Sequence, residues 1–193
     1  MNFIKAVLLV MFLVGCAAAP VTDTNMSGVD NPNWEFNGRV SLTRGEEGWH
    51  ASLSWQERQD HYQLQVSGPL GQGAFRLAGD ENGVLLVDAD GETYSARDAD
   101  ALLSHVTGWA LPVTGMRFWV RGLSVPDVDS QVTRDEQGRL ARLEQSGWTI
   151  TYDRYQSDTV AALPAKLQLV REDISVRLVI DHWQLGIPAA DTP

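Results

Sequence analysis

The stretch WHASLSWQ, residues 49–56, alternates without a break: Trp49, Ala51, Leu53 and Trp55 share one side, and His50, Ser52, Ser54 and Gln56 the other. Successive side chains of an extended chain point to opposite faces, so this pattern specifies a strand with one buried and one wet face. Working outward, the same period recurs at Tyr62, Leu64 and Val66, at Trp148, Ile150 and Tyr152, and at Ile174, Val176, Leu178 and Ile180. Strands are expected near 36–43, 49–57, 61–67, 73–79, 83–88, 92–96, 129–134, 139–146, 148–155, 165–171 and 174–183, about eleven in all. Loops such as Arg44-Gly45-Glu46-Glu47-Gly48 and Asp88-Ala89-Asp90-Gly91 separate them, and connections of that length join antiparallel neighbours. The fold is therefore expected to be mainly β and single-domain. Its sheet must close on itself or pack on a second one, because laid flat it would leave the apolar face wet.

Two helices interrupt the strands. After Asp98, a capping residue, Ala99, Leu102, Leu103 and Val106 fall at i, i+3, i+4 and i+7, and Gly108 stops the helix. After Thr114, a second helix repeats the spacing at Met116, Trp119, Val120 and Leu123, with Gly122 near its end. Both are short and one-sided, and are expected to lie across the open apolar mouth of the sheet.

The N-terminus reads differently. Residues 1–15 carry one cation, Lys5, then an apolar run too short to span a bilayer, the layout of a secretory signal peptide. The tetrapeptide Leu13-Val14-Gly15-Cys16 resembles the bacterial lipobox, in which cleavage precedes the cysteine and the cysteine is lipidated. Cys16 is the single cysteine of the chain, so no intramolecular disulfide competes for it. Residues 16–33 then form a lipidated, flexible tether, 34–185 the β domain, and 186–193 a tail of unassigned role. By the same resemblance, Ala17 in place of an aspartate directs the protein to the outer membrane, facing the periplasm.

With a net charge of -10 and no Lys/Arg block, the composition argues against nucleic acid and against electrostatic docking on anionic lipid. His50, His61, His105 and His182 lack metal-ligand spacing, and no nucleophile elbow or phosphate-cradling loop occurs. Neither catalytic residues, a metal nor a cofactor is expected. All seven tryptophans follow the tether. Alternation fits a filled interior and a hollow one alike, and large rings suit the lining of a cavity for an apolar ligand. From the strand and helix faces, the cavity and lid residues are expected to be Leu53, Trp55, Leu64, Val66, Leu102, Leu103, Val106 and Trp119.

The loop Gly68-Pro69-Leu70-Gly71 presents a large apolar side chain where a turn needs none. Together with Trp34, Gly38, Trp55-Gln56, Tyr62, LLVDADGETYSARDADALL (85–103), TGWALPV (107–113), FWVRGL (118–123), LPAKLQL (163–169) and LVIDHW (178–183), it resembles the LolB family of outer-membrane lipoprotein receptors. That resemblance implies an unclosed antiparallel β-barrel with a helical lid over a hydrophobic cavity. It also implies a LolA-like periplasmic carrier as partner, acylated lipoproteins as cargo, and the inner leaflet of the outer membrane as destination. Leu70, held by Gly68, Pro69 and Gly71, matches the family's membrane-insertion leucine. A monomer is expected. Two other readings stay open at this point: a lipid-anchored, lipocalin-type binder of a small apolar ligand, and a periplasmic hydrolase using a carboxylate pair.

Overall fold

A computed structural model describes residues 30–71 and 73–186; the expected signal segment, Cys16, most of the tether and the tail beyond Gly186 lie outside them. The chain forms β1 (Asn33–Arg44), β2 (Glu47–Arg58), β3 (His61–Ser67), β4 (Phe75–Gly79), β5 (Val84–Asp88) and β6 (Thr93–Ala96). Helices α1 (Ala99–Thr107) and α2 (Val113–Trp119) follow, then β7 (Ser130–Arg134), β8 (Leu140–Gln145), β9 (Trp148–Tyr155), β10 (Pro164–Arg171) and β11 (Ile174–Leu185). All eleven strands belong to one sheet, ordered β6-β5-β4-β3-β2-β1-β11-β10-β9-β8-β7. Every neighbouring pair is antiparallel. Strands β6 and β7 are the two edges and do not pair, so the barrel is unclosed, and the chain passes from one edge to the other through the two helices.

Alternation holds along most of the sheet, although edge strand β7 is exposed on both faces. In β3 the pattern is strict, with Tyr62, Leu64 and Val66 buried between exposed neighbours. It slips where the ladder slips. Asn37 faces His182 but Gly38 faces Ile180, a bulge that lets Ile180 and Trp183, three residues apart, both face inward. Gly38 is required there, since a Cβ would lie 2.2 Å from the Val179 carbonyl oxygen. A second irregularity, where Thr133 faces Arg142 and Arg134 faces Leu140, places Leu140 and Leu143 on the same buried side.

Inside the curve sits a core that includes Trp34, Phe36, Trp55 and Trp183, whose neighbouring ring centroids lie 5.0–6.1 Å apart. Aromatic contacts at such separations add to the burial term. Leu102 and Leu103 of α1 and Met116 and Trp119 of α2 fill the remaining interior. Among the described residues this core runs from Trp34 to Trp183.

The first helix follows the sequence expectation: the Asp98 side chain accepts from the Ala101 amide, and Gly108 closes the helix at φ 76°. The second does not begin as expected. It starts at Val113 behind Pro112, so Thr114 lies inside its first turn and not before it. Asp100 of α1 accepts from both the Thr114 amide (3.0 Å) and its hydroxyl (3.2 Å), so one helix caps the other. Leu123, expected on the apolar side of α2, lies beyond its end.

Candidate functional site

A cleft of about 360 Å³ opens at the mouth of the half-barrel, between the ends of β1 and β2, the loop before β4, the β5–β6 hairpin and the end of α1. Its apolar lining comes from Leu42, Trp49, Phe75, Val106, Trp109 and Leu111, Gly73 and Ala74 complete one wall, and Asp88, Asp90 and Thr107 supply its polar lining. Gly73 stays small for a reason: a Cβ there would meet the Trp49 indole at 3.3 Å, and its φ of 63° is left-handed. The cleft is at the small end of the range for ligand pockets.

Leu70 precedes the cleft residue Gly73 by three positions. Its side chain is completely exposed, at 101 %, while Phe75 turns inward and is buried. Leu70 also occupies the left-handed region at φ 57°, ψ 22° within a 3-10 turn over Pro69–Gly71. A side-chain-bearing residue adopts that region at a cost of about 1–2 kcal/mol. The protein thus holds an apolar side chain away from its own core in a conformation that such a residue avoids. It does not fold down on Phe75 or on the barrel rim.

The two halves of the lid are held differently. Helix α2 is fastened to both sides of the sheet. Gln145, buried on β8, accepts from the Trp119 indole at 2.9 Å and from the Val125 amide at 2.8 Å, and donates to the carbonyls of Val125 and Val128. Tyr152 on β9 donates to the Trp119 carbonyl. Across the barrel Arg117 donates to the buried Glu57 of β2, with its Nε at 2.8 Å, and its guanidinium lies 4.8 Å from the Tyr62 ring centroid. Burial pushes the Glu57 carboxyl above its ordinary range despite Arg117, and burial likewise raises Asp100. The cleft end of α1 has looser ties: Arg44 donates to the exposed Gly108 carbonyl at 3.1 Å and lies 5.0 Å from the ring centroid of the half-buried Trp109.

Of the cavity and lid residues expected from sequence, Val106 lines this cleft. Leu53, Trp55, Leu64, Val66, Leu102, Leu103 and Trp119 are buried side chains of the packed interior. Sequence reasoning missed Leu42, Trp49, Phe75, Trp109 and Leu111 as cleft residues. Leu42 and Trp49 do continue the strand alternation toward the strand ends, whereas Trp109 and Leu111 lie in the connection between helices, where no period marks them. Gly68 is buried and Pro69 exposed beside Leu70; Cys16 is outside the described residues.

An unclosed antiparallel half-barrel, filled by two helices and open at an apolar mouth, defines a class of fold shared with proteins of very different sequence. A DUF1329 family protein from Desulfovibrio piger superposes with a TM-score of 0.58 at 9% identity, over 84% of this chain and 90% of that one. A LolA superfamily protein from Nitrosomonas europaea superposes at 0.53 with 7% identity, over 83% and 89%. Sequence narrows the class to one family. The profile described as Outer membrane lipoprotein LolB matches residues 32–183. Outer-membrane lipoprotein LolB of Pseudomonas aeruginosa is 44% identical over 151 residues, 78% of this chain and 74% of that protein. The protein of that name from Ectopseudomonas mendocina is 36% identical over 190 residues, 91% and 93% respectively. The chain belongs to the LolB family.

Proposed function

We propose that this protein is an outer-membrane-anchored receptor that takes lipoproteins from a soluble periplasmic carrier and delivers them to the inner leaflet of the outer membrane. One observation carries the reading: a single loop joins receptor and delivery surfaces. Leu70 stands at its tip, and a few residues later Gly73, Ala74 and Phe75 form the wall of the apolar cleft. Cargo leaving the cleft beside this wall emerges where the exposed leucine meets lipid.

The energetics fit a relay. Each methylene removed from water contributes about 0.8 kcal/mol, so acyl chains pass between sheltered sites and do not cross the aqueous phase. The cleft accommodates part of a chain as it stands. More room comes from displacing the cleft end of α1, whose exposed ties to Arg44 are each worth under about 1 kcal/mol. Two or so buried methylenes offset the loss of those two ties, and the packing that Leu102 and Leu103 give up on displacement is replaced by contact with the acyl chain. Helix α2, fastened through Gln145, Tyr152 and Glu57, serves as the fixed wall. With α1 displaced, Leu102, Leu103 and the inner-face residues Leu53, Leu64 and Val66 line the enlarged cavity, alongside Trp55 and Trp119. Among the described residues no helix is long and apolar enough to cross a membrane. Attachment is assigned to a lipidated Cys16, with residues 16–33 as the tether, and the receptor acts as a monomer.

The experiment mixes carrier-bound acylated lipoprotein with this protein, intact or as Leu70→Glu, with and without liposomes. Cargo uptake by both and delivery by the intact form alone is the expected result. Failure of both folded forms to take cargo overturns the receptor reading in favour of a small-ligand binder.

A further inference from the structure

On the outer face of the sheet, at the foot of the Leu70 loop, lies a groove of about 410 Å³. Gly68 and Pro69 form one wall. The side chains around it are Arg39, Ser41, His50, Ser52, Ser67 and Arg177, all exposed, and no acidic residue lines it. That composition stands out in a chain of net charge -10.

Register explains the gathering. His50 faces Ser41, and Ser41 faces Arg177; Ser67 faces Ser52, and Ser52 faces Arg39. The two rows are adjacent, because Arg39 faces Val179, two residues along β11 from Arg177. Such a diagonal pair stands about 7–8 Å apart on one face, within reach of a single phosphate for side chains as long as arginine. Arg39 is partly committed to Asp181, which accepts from its Nε at 3.1 Å and from a terminal nitrogen at 2.7 Å. Arg177 has no carboxylate partner among the described residues. Its guanidinium, three serine hydroxyls and an imidazole supply donors and no fixed negative charge, which is the chemistry that recognises a phosphate oxyanion.

We infer that this groove binds the phosphate of an anionic phospholipid headgroup when the Leu70 loop enters the bilayer. The inference rests on the insertion reading given above. The dispersed cations of the sequence argue against an anionic surface, whereas the sheet collects Arg39 and Arg177 at the foot of the loop that carries the exposed Leu70. With Leu70 in the acyl region, the groove wall at Pro69 is one residue away and sits at headgroup depth.

Flotation of residues 17–193, the chain without the expected signal segment and lipidated Cys16, on vesicles of phosphatidylcholine with and without one-third phosphatidylglycerol tests this. Arg177→Ser is expected to lower partitioning on the anionic vesicles about fivefold and to leave neutral vesicles unaffected. Arg97→Ser, which removes an exposed cation beyond the end of edge strand β6, is expected to change neither. Leu70→Glu is expected to abolish binding to both. Parental binding by Arg177→Ser overturns the groove, as does an equal loss in Arg97→Ser, which would mean net charge alone. If Leu70→Glu binds like the parent, the insertion reading itself fails, and with it the coupling of groove to loop.

Discussion

Replacing Gln145 with leucine tests whether α2 is the fixed wall of the lid. Leucine approximates the volume, so the cavity contribution is small. The hydrogen bonds are lost: the indole N–H of Trp119, a residue 1 % exposed, and the Val125 amide each lose their acceptor, and two carbonyls lose a donor. A buried donor left without a partner costs about 1–3 kcal/mol. Counting the indole fully and the half-buried amide at the low end gives a loss of about 2–4 kcal/mol. For a domain of this size that lowers the melting temperature by about 6–12 °C. Urea unfolding of parent and variant measures it as a shift in midpoint at unchanged slope. A loss below about 1 kcal/mol would refute the reasoning, since it would mean that water or repacking satisfies Trp119 and that Gln145 does not fasten the helix. The same loosening should admit an apolar fluorescent probe to the interior, because the wall opposite α1 is no longer held.

Other outcomes follow from the same geometry. Glu57 has its carboxyl raised by burial above its ordinary 4.5, so its contribution to stability is present below that value and lost as pH rises through the higher folded value. The advantage of the parent over Glu57→Gln in denaturant midpoint should therefore shrink as pH rises from about 4 toward neutral; an advantage that grows would mean that attraction to Arg117 outweighs burial. Gly115→Ala should destabilise by about 1–3 kcal/mol although alanine is the better helix former, because a Cβ would lie 2.5 Å from the Trp119 ring. A neutral or stabilising result in thermal unfolding would contradict that packing. Arg44→Ala should leave the unfolding midpoint within about 0.5 kcal/mol while speeding entry of an apolar probe into the cleft, since it frees the α1 end at Gly108 and Trp109.

Much of this architecture was legible in the sequence because a period-two pattern survives wherever a regular strand has one wet face. The α1 boundaries were legible for an equally local reason, since Asp98 and Gly108 are residues that start and stop helices. What escaped depends on partners far along the chain. Trp183 falls out of phase with Ile180 because of a bulge set by β1, and no residue nearby announces it. Thr114 has a cap's chemistry, yet Asp100 supplies the acceptor from another helix. The open cleft escaped for the same reason: inner-face alternation identifies residues that point to the interior, such as Leu53 and Leu64, but not the depth at which two helices stop filling it. The exposure of Leu70 was readable from its loop alone, because a turn that carries a large apolar side chain already departs from what folding asks of it, whereas a role for it at the membrane is implied by the family resemblance.

The most direct test of the receptor account places a photoactivatable cross-linking residue at Trp109, in the cleft, or at Ser54, on the outer face, and adds carrier-bound lipoprotein with a radiolabelled acyl chain. The account predicts label transferred to the Trp109 position and not to the Ser54 position, with labelling lost once liposomes accept the cargo. Delivery to liposomes with no acyl label at the cleft would contradict it.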